Sequence, residues 1–273
     1  MITIHGYGTP DTKTAANVND VYIDLESNVA YRCTDVNVAE RNPHGYIQIG
    51  DYSIDTCEYI WEAMTAPGGD TVLTSLIEGT ATSLEVPEGV TNIGQQALSH
   101  TPGLRTISLP EGLETIGAYA FENCTALESI NIPESLTTIG DHAFYYSTAL
   151  KSVSFPEEME ELTLNEHAFG MCSLSSINLP KGLKIIGDSA FYSGFKMENL
   201  IIPETVTSVG NNAFINCTLI KTVTFKGKPN TVNSYAFRND TGITTINVPW
   251  ASGAVSGAPW GATKATINYN YTG

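Results

Sequence analysis

One string of residues returns along most of the chain with a period of 23, and this repeat limits the folds that the chain can adopt. Eight units are visible, all but one of the spacings are 23, and the shared pattern has the form LExIxIPExLTxIGxxAFxxC. A unit this short cannot bury a core alone, so the units must stack and each must contact its neighbours. The repeat therefore predicts a solenoid.

The first part of each unit alternates apolar and polar residues and ends at a proline. Ile130 and Ile132 before Pro133 are an example. The alternation is the period-two pattern of a strand with one buried face, and proline ends the strand because it has no amide donor. A second apolar pair, such as Leu136 and Ile139, predicts another short extended piece.

The second part of each unit carries a glycine or asparagine and then an Ala-Phe pair. Because these two residues tolerate positive φ best, we interpret their column as a backbone corner. We expect the Ala-Phe pair to lie on a helical turn, with the phenyl ring in the interior. The corner column contains Gly94, Gly117, Gly140, Asn165, Gly187, Gly210 and Asn233. The predicted core phenylalanines are Phe121, Phe144, Phe169, Phe191, Phe214 and Phe237.

Together these columns resemble the BspA-like, or Treponema-type, leucine-rich repeat, over roughly residues 81 to 250. The resemblance implies a mainly β solenoid, a right-handed coil of about 23-residue units with short helical turns. It also implies a non-enzymatic protein that presents an extended surface to a protein or a glycan. Repeat four departs from the pattern through a two-residue insertion between Glu157 and Asn165, where we expect a local bulge.

The residues outside the repeats predict a separate module at one end and a cap at the other. Residues 1–66 predict a small β module, residues 67–80 a linker and a strand that caps the first coil, and residues 81–248 the repeats. Residues 249–273 predict a cap in which Trp250, Val255 and Trp260 cover the last coil. Within the first module we expect a hairpin of residues 20–25 with residues 29–33, and further strands at 46–49 and 59–64.

Short stretches near both ends are similar to segments of phage proteins. Residues 17–24, 31–34 and 59–61 look like modules of tail-associated or fibre proteins, and residues 248–262 are similar to a tail on repeat proteins encoded by prophages of gut bacteria. This resemblance implies a virion component. The first twenty residues lack the pattern of a signal peptide, so we expect no standard export signal. A bacterial cell-surface adhesin is the alternative setting.

Composition argues against several classes of partner and activity. The 273 residues include 13 basic and 29 acidic residues, a formal net charge of −16, which repels nucleic acid and anionic membrane surfaces. No apolar run is long enough to span a membrane as a helix. The sequence contains no GxSxG, HExxH or phosphate-loop motif, so we expect neither an enzyme nor a cofactor. Oligomeric state stays open.

Two histidines define a metal hypothesis. His142 and His167 fill equivalent positions in adjacent units, preceded by Asp141 and Glu166. Two imidazoles about 5 Å apart beside two carboxylates suit zinc or nickel. Other units carry polar and tyrosine residues in the same column, which favours a variable surface position instead.

The binding hypothesis concerns the edge formed by the predicted helical turns. Adjacent exposed aromatic and apolar residues are typical anchors of interfaces and of sugar rings. Partial burial of these side chains is the alternative, and the polar outer face of the first strands is a further candidate surface. The candidates on the turn edge are Tyr145, Tyr146, Met171, Tyr192, Phe195 and Ile215.

The cysteines predict buried thiols rather than a disulfide framework. Cys124, Cys172 and Cys217 share one column in alternate units, about 9.6 Å apart, too far for a disulfide. Cys33 and Cys57 are the remaining pair, for which a bridge and two free thiols both stay open.

Overall fold

The computed structural model describes six strands within residues 1–81 by their backbone, and residues 82–86 and 89–273 in detail, apart from the side chain of Ser176. The chain divides into two compact units, Met1–Ala81 and Thr82–Gly273. Cys57 and residues 66–70 lie outside the described residues, so the predictions for them stay predictions.

The described residues of the first unit form six short strands. The antiparallel pairing of β2 with β3 confirms the predicted hairpin, and two further strands lie where the sequence predicts them. β1 runs parallel to β2, β3 pairs antiparallel with β4, and β5 pairs antiparallel with β6. The capping role of the last strand stays a prediction. The strands are β1 (Thr3–Gly6), β2 (Val21–Asp24), β3 (Val29–Cys33), β4 (Tyr46–Asp51), β5 (Ile60–Thr65) and β6 (Thr71–Glu78).

The second unit is a parallel β-solenoid, as predicted. The first strands of its coils follow one another along one side in three parallel sheets of two, three and four strands, which together we call the first ladder. Its register follows the repeat, since Ile130 is opposite Val153 and Val223 is opposite Ile246. In β7, β9 and β11 the central residue is buried and its two neighbours are exposed. The strands are β7 (Ser83–Glu85), β9 (Thr106–Ser108), β11 (Ser129–Asn131), β13 (Ser152–Ser154), β15 (Ser176–Ile177), β17 (Asn199–Ile202), β19 (Thr222–Phe225), β21 (Thr245–Asn247) and β22 (Thr266–Asn268).

The second extended piece of each coil forms another parallel ladder. Its register shifts between Leu162 and Thr163, where β14 faces β16 and the extra residue, Lys184, lies on β16. The bulge expected within the insertion of repeat four stays a prediction. The strands are β8 (Asn92–Ile93), β10 (Thr115–Ile116), β12 (Thr138–Ile139), β14 (Leu162–Leu164), β16 (Leu183–Ile186), β18 (Ser208–Val209) and β20 (Thr231–Val232).

The third side of each coil is a turn, and the prediction of helical turns was wrong, because the described residues contain no helix. Along the turn, successive backbone N–H groups donate hydrogen bonds alternately within the coil and to the next coil. Some bond within the coil, as Glu122 N–H does to the Tyr119 carbonyl at 3.1 Å. The others donate to the next coil: Tyr119 to Asp141 at 2.8 Å, Phe121 to Ala143 at 2.7 Å and Asn123 to Tyr145 at 2.8 Å. The coils are thus joined by backbone hydrogen bonds on this side too.

This alternation requires residues in the left-handed conformation, with positive φ. They do not lie in the glycine and asparagine column, where the sequence predicted them. Gly117 and Gly140 have no positive φ; the left-handed residues come two and six positions after the glycine, as at His142 (φ 56°) and Tyr146 (φ 63°). The glycine meets a different demand. A Cβ at Gly140 would lie 2.7 Å from the Gly117 carbonyl carbon, so this column is small because two coils approach closely there.

The core is a continuous stack of rings along the solenoid. The six repeat phenylalanines have no exposed surface, and their neighbouring ring centroids are 4.9 to 5.7 Å apart with planes within 11° of parallel. Leu98 takes the same place in the first coil and is also fully buried. The phenyl rings therefore link each coil to the next by direct contact.

The C-terminal end closes this core. Trp250, Val255 and Trp260 are buried. The centroids of the two indole rings lie 5.3 and 5.8 Å from the centroid of the Phe225 ring. The chain then returns to the first ladder and adds β22 beside β21. The repeat pattern does not predict this last strand, because residues 249–265 interrupt the spacing of the repeat.

Candidate functional site

Six rings meet on the turn side of the solenoid, and we name them the aromatic ridge. They come from four coils in succession, and each is placed by the turn that follows the glycine column. The ridge consists of Tyr119, His142, Tyr145, Tyr146, His167 and Tyr192.

One column of the ridge is a stack of parallel rings. Tyr119 stacks on His142 with centroids 4.9 Å apart, and His142 stacks on His167 at 4.6 Å. All three residues occupy the first left-handed position of their turns, with φ between 53° and 59°. The same backbone conformation in each coil thus directs the three side chains to the same place.

A second column meets the first at its edge. Tyr145 makes edge contacts with His142 and His167, at 5.2 and 5.7 Å between centroids, and Tyr192 does so with His167 at 6.0 Å. Gly170 makes room for Tyr145, because a Cβ there would lie 2.9 Å from the tyrosine Cδ2. These contacts hold the rings in a fixed arrangement.

The side chains of the predicted binding residues differ in their exposure to solvent. Tyr146 is 46% exposed, whereas Tyr145, Met171, Tyr192 and Ile215 are half-buried. Partial burial and surface access therefore coexist along this edge.

Phe195 does not belong to the edge, and its prediction as a binding residue was wrong. The side chain is 2% exposed and stacks on Phe191 and Phe214 at 4.7 and 5.7 Å. Phe195 forms an isolated parallel bridge with Leu174, so it lies beside the aliphatic core residue of the preceding coil.

The ridge geometry does not support the zinc or nickel hypothesis. The imidazoles of His142 and His167 lie face to face, 18° from parallel, whereas the lone pairs that bind a metal lie in the ring planes and so do not converge. Asp141 Oδ1 accepts the Glu166 N–H at 3.2 Å. Among the described residues, no three His, Cys, Asp or Glu side chains form a group suited to a metal ion.

Carboxylates lie near His167. His167 Nδ1 lies 3.4 Å from Glu166 Oε1. Burial, with a further contribution from His142, lowers the pKa of His167, while Glu166 and Asp188 oppose this shift. Imidazole burial outweighs the carboxylates, and His167 is therefore neutral at pH 7.

The cysteine column is interior and chemically quiet. Cys124, Cys172 and Cys217 are buried free thiols. Burial raises the pKa of all three, that of Cys217 to about 12, which keeps each sulfur protonated and unreactive.

The outer face of the first ladder is the other candidate surface. Its residues on β9 and β13 are hydroxyl side chains, among which Thr106, Ser108 and Ser154 are exposed. Near the C-terminal end the amides form a short ladder, in which Asn268 donates to Asn247 at 2.8 Å and Asn247 to Thr224 at 3.1 Å. These polar groups bond partly to one another, and the described outward-facing residues there contain no ring.

Sequence reasoning missed two residues of the site. Tyr119 lies in the column of His142 one period earlier, so the repeat itself contained the signal. Gly170 left no signal, because its role depends on the position of Tyr145 in three dimensions.

The architecture described above is that of a parallel β-solenoid with repeats of about 23 residues. The family described as BspA type leucine-rich repeat region matches residues 78–165 and 160–255, in six copies. The chain therefore belongs to this family. No functionally curated protein matches it. Within the residues that the structure describes, no helix is long and apolar enough to cross a membrane.

Solved structures of bacterial repeat proteins are similar to this chain. The T. pallidum leucine-rich repeat protein TpLRR is 22% identical over 69% of this chain and 81% of its own, with a TM-score of 0.50. A leucine-rich repeat protein from Bacteroides ovatus is 20% identical over 81% of this chain and 76% of its own, with a TM-score of 0.41. At these identities the likeness concerns the fold alone.

Proposed function

We propose that the chain is a non-enzymatic recognition protein that binds a protein or glycan partner through the aromatic ridge. The observation that carries this proposal is the partly exposed, mutually packed set of rings on one side of the solenoid. Tyrosine rings held by their neighbours offer a large contact area and lose little side-chain entropy on binding. A rigid ridge is thus suited to recognition.

The surroundings of the histidines support a binding role over catalysis. Apart from stacking on each other, the two imidazoles contact the rings of Tyr119, Tyr145 and Tyr192 in the described structure. Nucleophilic catalysis instead requires a base beside an activated hydroxyl or thiol. The thiols of the repeat lie in the core, in a column separate from the ridge.

Residues from other coils supply substitutions that the fold accepts. Tyr119→Asn follows Asn212, Tyr146→Asn follows Asn123, and Tyr192→Ser follows Ser99, each at the same place in its own turn. Asparagine also tolerates the positive φ of the first two positions. The triple variant removes rings and leaves the net charge unchanged.

The test compares the full chain, the triple variant and Tyr235→Asn on a glycan array and a peptide array. Tyr235 is 56% exposed and lies outside the ridge, in the column of Tyr119. We expect the ligands bound by the parent to bind the triple variant at least about tenfold more weakly and the control equally well. Equal binding by all three proteins would contradict the ridge as the site.

We further propose that the protein is a phage or prophage tail-associated component, with a bacterial cell-surface adhesin as the alternative. The resemblance of residues 17–24 and 248–262 to phage segments supports the first setting. Mass spectrometry of purified virions and surface labelling of intact host cells separate the two. Detection in virions supports the tail setting; detection on cells without virions contradicts it.

A further inference from the structure

The aromatic ridge lies in a strongly acidic part of the surface. The turns that carry it, residues 118–124, 141–147, 166–172 and 188–194, contain Glu122, Asp141, Glu166 and Asp188 and no lysine or arginine. The three residues Asp141, Glu166 and Asp188 are exposed. A partner that covers the rings must therefore also face these carboxylates.

The turn backbone holds two of these acids beside the rings. Asp141 Oδ1 accepts the amide of Glu166 at 3.2 Å, and Asp188 Oδ1 accepts the amide of Asn211 at 2.7 Å. Each is thereby tied to the next coil while its carboxylate keeps further acceptor capacity. The third acid, Glu166, lies 3.4 Å from His167.

The tyrosines leave ring surface for a cation. In the described structure Tyr146 contacts one other ring, Tyr145, in a tilted arrangement at 6.3 Å, and Tyr192 contacts His167 at 80° between planes. Neither ring is stacked between two others, so each keeps a face free of aromatic contact. Guanidinium and ammonium groups bind such faces, more strongly when carboxylates lie nearby.

We infer that the partner of the ridge is a cationic protein segment that bears arginine or lysine side chains. This inference rests on the proposed function and adds the chemical class of the partner. Charge complementarity favours a protein partner over a glycan. A neutral glycan gains no Coulomb attraction from the four carboxylates, whereas an arginine side chain contacts both a ring and an acid.

Because the whole chain has a net charge of −16, the test must separate the ridge from general attraction. The probe is a fluorescent octa-arginine peptide, with a glycine-serine peptide and maltohexaose as uncharged probes, in about 150 mM salt to screen distant charges. Two double variants make equal charge changes: Glu122→Gln with Glu166→Gln beside the ridge, and Glu111→Gln with Glu134→Gln on the exposed proline turns. The charge-neutral ring variant Tyr119→Asn, Tyr146→Asn, Tyr192→Ser completes the set.

We expect octa-arginine to bind the parent about tenfold more tightly than the ring variant and the Glu122/Glu166 variant, with at most about a twofold change for Glu111/Glu134. Equal weakening by both acidic variants, no effect of the ring variant, or no binding of octa-arginine would overturn the inference. Ring-dependent binding of maltohexaose alone would overturn it too, but would leave the proposed function intact. The proposed function is tested separately on the arrays. Array ligands that bind the triple ring variant as tightly as the parent would contradict it.

Discussion

A single position of the repeat holds a small hydrogen-bond donor in most coils and an acid in one. Ser147 Oγ donates to the Phe121 carbonyl at 2.8 Å, and the sulfurs of Cys124, Cys172 and Cys217 donate to equivalent carbonyls at 3.1 to 3.3 Å. Asp240 takes this position with 2% exposure, and neither of its carboxylate oxygens has a hydrogen-bond partner. Burial raises its pKa to about 8.

Asp240 should therefore make stability fall as pH rises. Below about pH 3.8 the acid is protonated in both states; between this value and about 8 only the unfolded state ionises, which costs up to about 1.4 kcal/mol per pH unit. We expect Asp240→Ser, which keeps a donor like that of Ser147, to remove this slope and to stabilise the protein at pH 8.

Urea unfolding at pH 4, 6 and 8 checks this prediction, with Glu160→Ser at an exposed acid as control. The gain from Asp240→Ser over the control should increase with pH. A gain independent of pH would mean that Asp240 is ionised in the folded protein.

The burial of single residues could be predicted where the repeat keeps its length. The six phenylalanines recur with the period and point into the stack. Phe195 could not be placed in this way, because it follows Phe191 by four residues, whereas the aliphatic core residue Leu127 follows Phe121 by six.

Among the elements, the turn departs most from its sequence-based prediction. Its left-handed positions hold histidine, tyrosine, serine and methionine, residues that give no general signal for positive φ. The same columns also hold asparagines, which do give that signal, but the glycine column was interpreted as the corner instead. These asparagines are Asn123, Asn212, Asn216 and Asn239. The strands were predictable because alternation and proline act locally.

Close approach of the coils at the glycine column gives a matched pair of variants. A Cβ at Gly140 would lie 2.7 Å from backbone atoms of Gly117 and Ala118, whereas a Cβ at Gly103 meets nothing within 4 Å. We expect Gly140→Ala to cost about 1–3 kcal/mol because the backbones must separate. Gly103→Ala should be neutral or stabilising by up to about 1 kcal/mol.

Thermal and urea unfolding of both variants measure the difference. Asn165 and Asn233 show that the column admits a side chain where the neighbouring coil accommodates it, so a partial shift of the coil is the expected response. Equal stability of the two alanine variants would contradict close approach as the reason for glycine.

At the scale of the whole molecule, stability depends on contacts between neighbouring coils. Phe144 stacks between Phe121 and Phe169 at 4.9 and 5.1 Å, so removal of its ring affects three coils. We expect Phe144→Ala to cost about 3–5 kcal/mol. Phe144→Leu should cost less, because Leu98 fills the same place in the first coil.

Hydrogen exchange resolves where the loss falls. Amides of the turns around Phe121 and Phe169 should exchange faster in Phe144→Ala, and those near the C-terminal cap should change little. Uniformly faster exchange along the repeats would show a fully cooperative stack instead of a chain of neighbour contacts.

The candidate site was only partly predictable. The period brings Tyr145, Tyr146 and Tyr192 to one edge, and it places His142 beside His167. The sequence did not reveal that the imidazoles stack, since ring orientation depends on the left-handed turn; this orientation changes an apparent metal pair into part of a binding surface.

Photo-crosslinking from the two candidate surfaces tests the central claim most directly. Benzoylphenylalanine replaces Tyr146 on the ridge in one protein and Ser154 on the outer face of the first ladder in another; both positions are exposed. With the array ligand that binds the parent most tightly, we predict crosslinks from position 146 and none from position 154. Crosslinks from position 154 alone would contradict the ridge as the recognition surface.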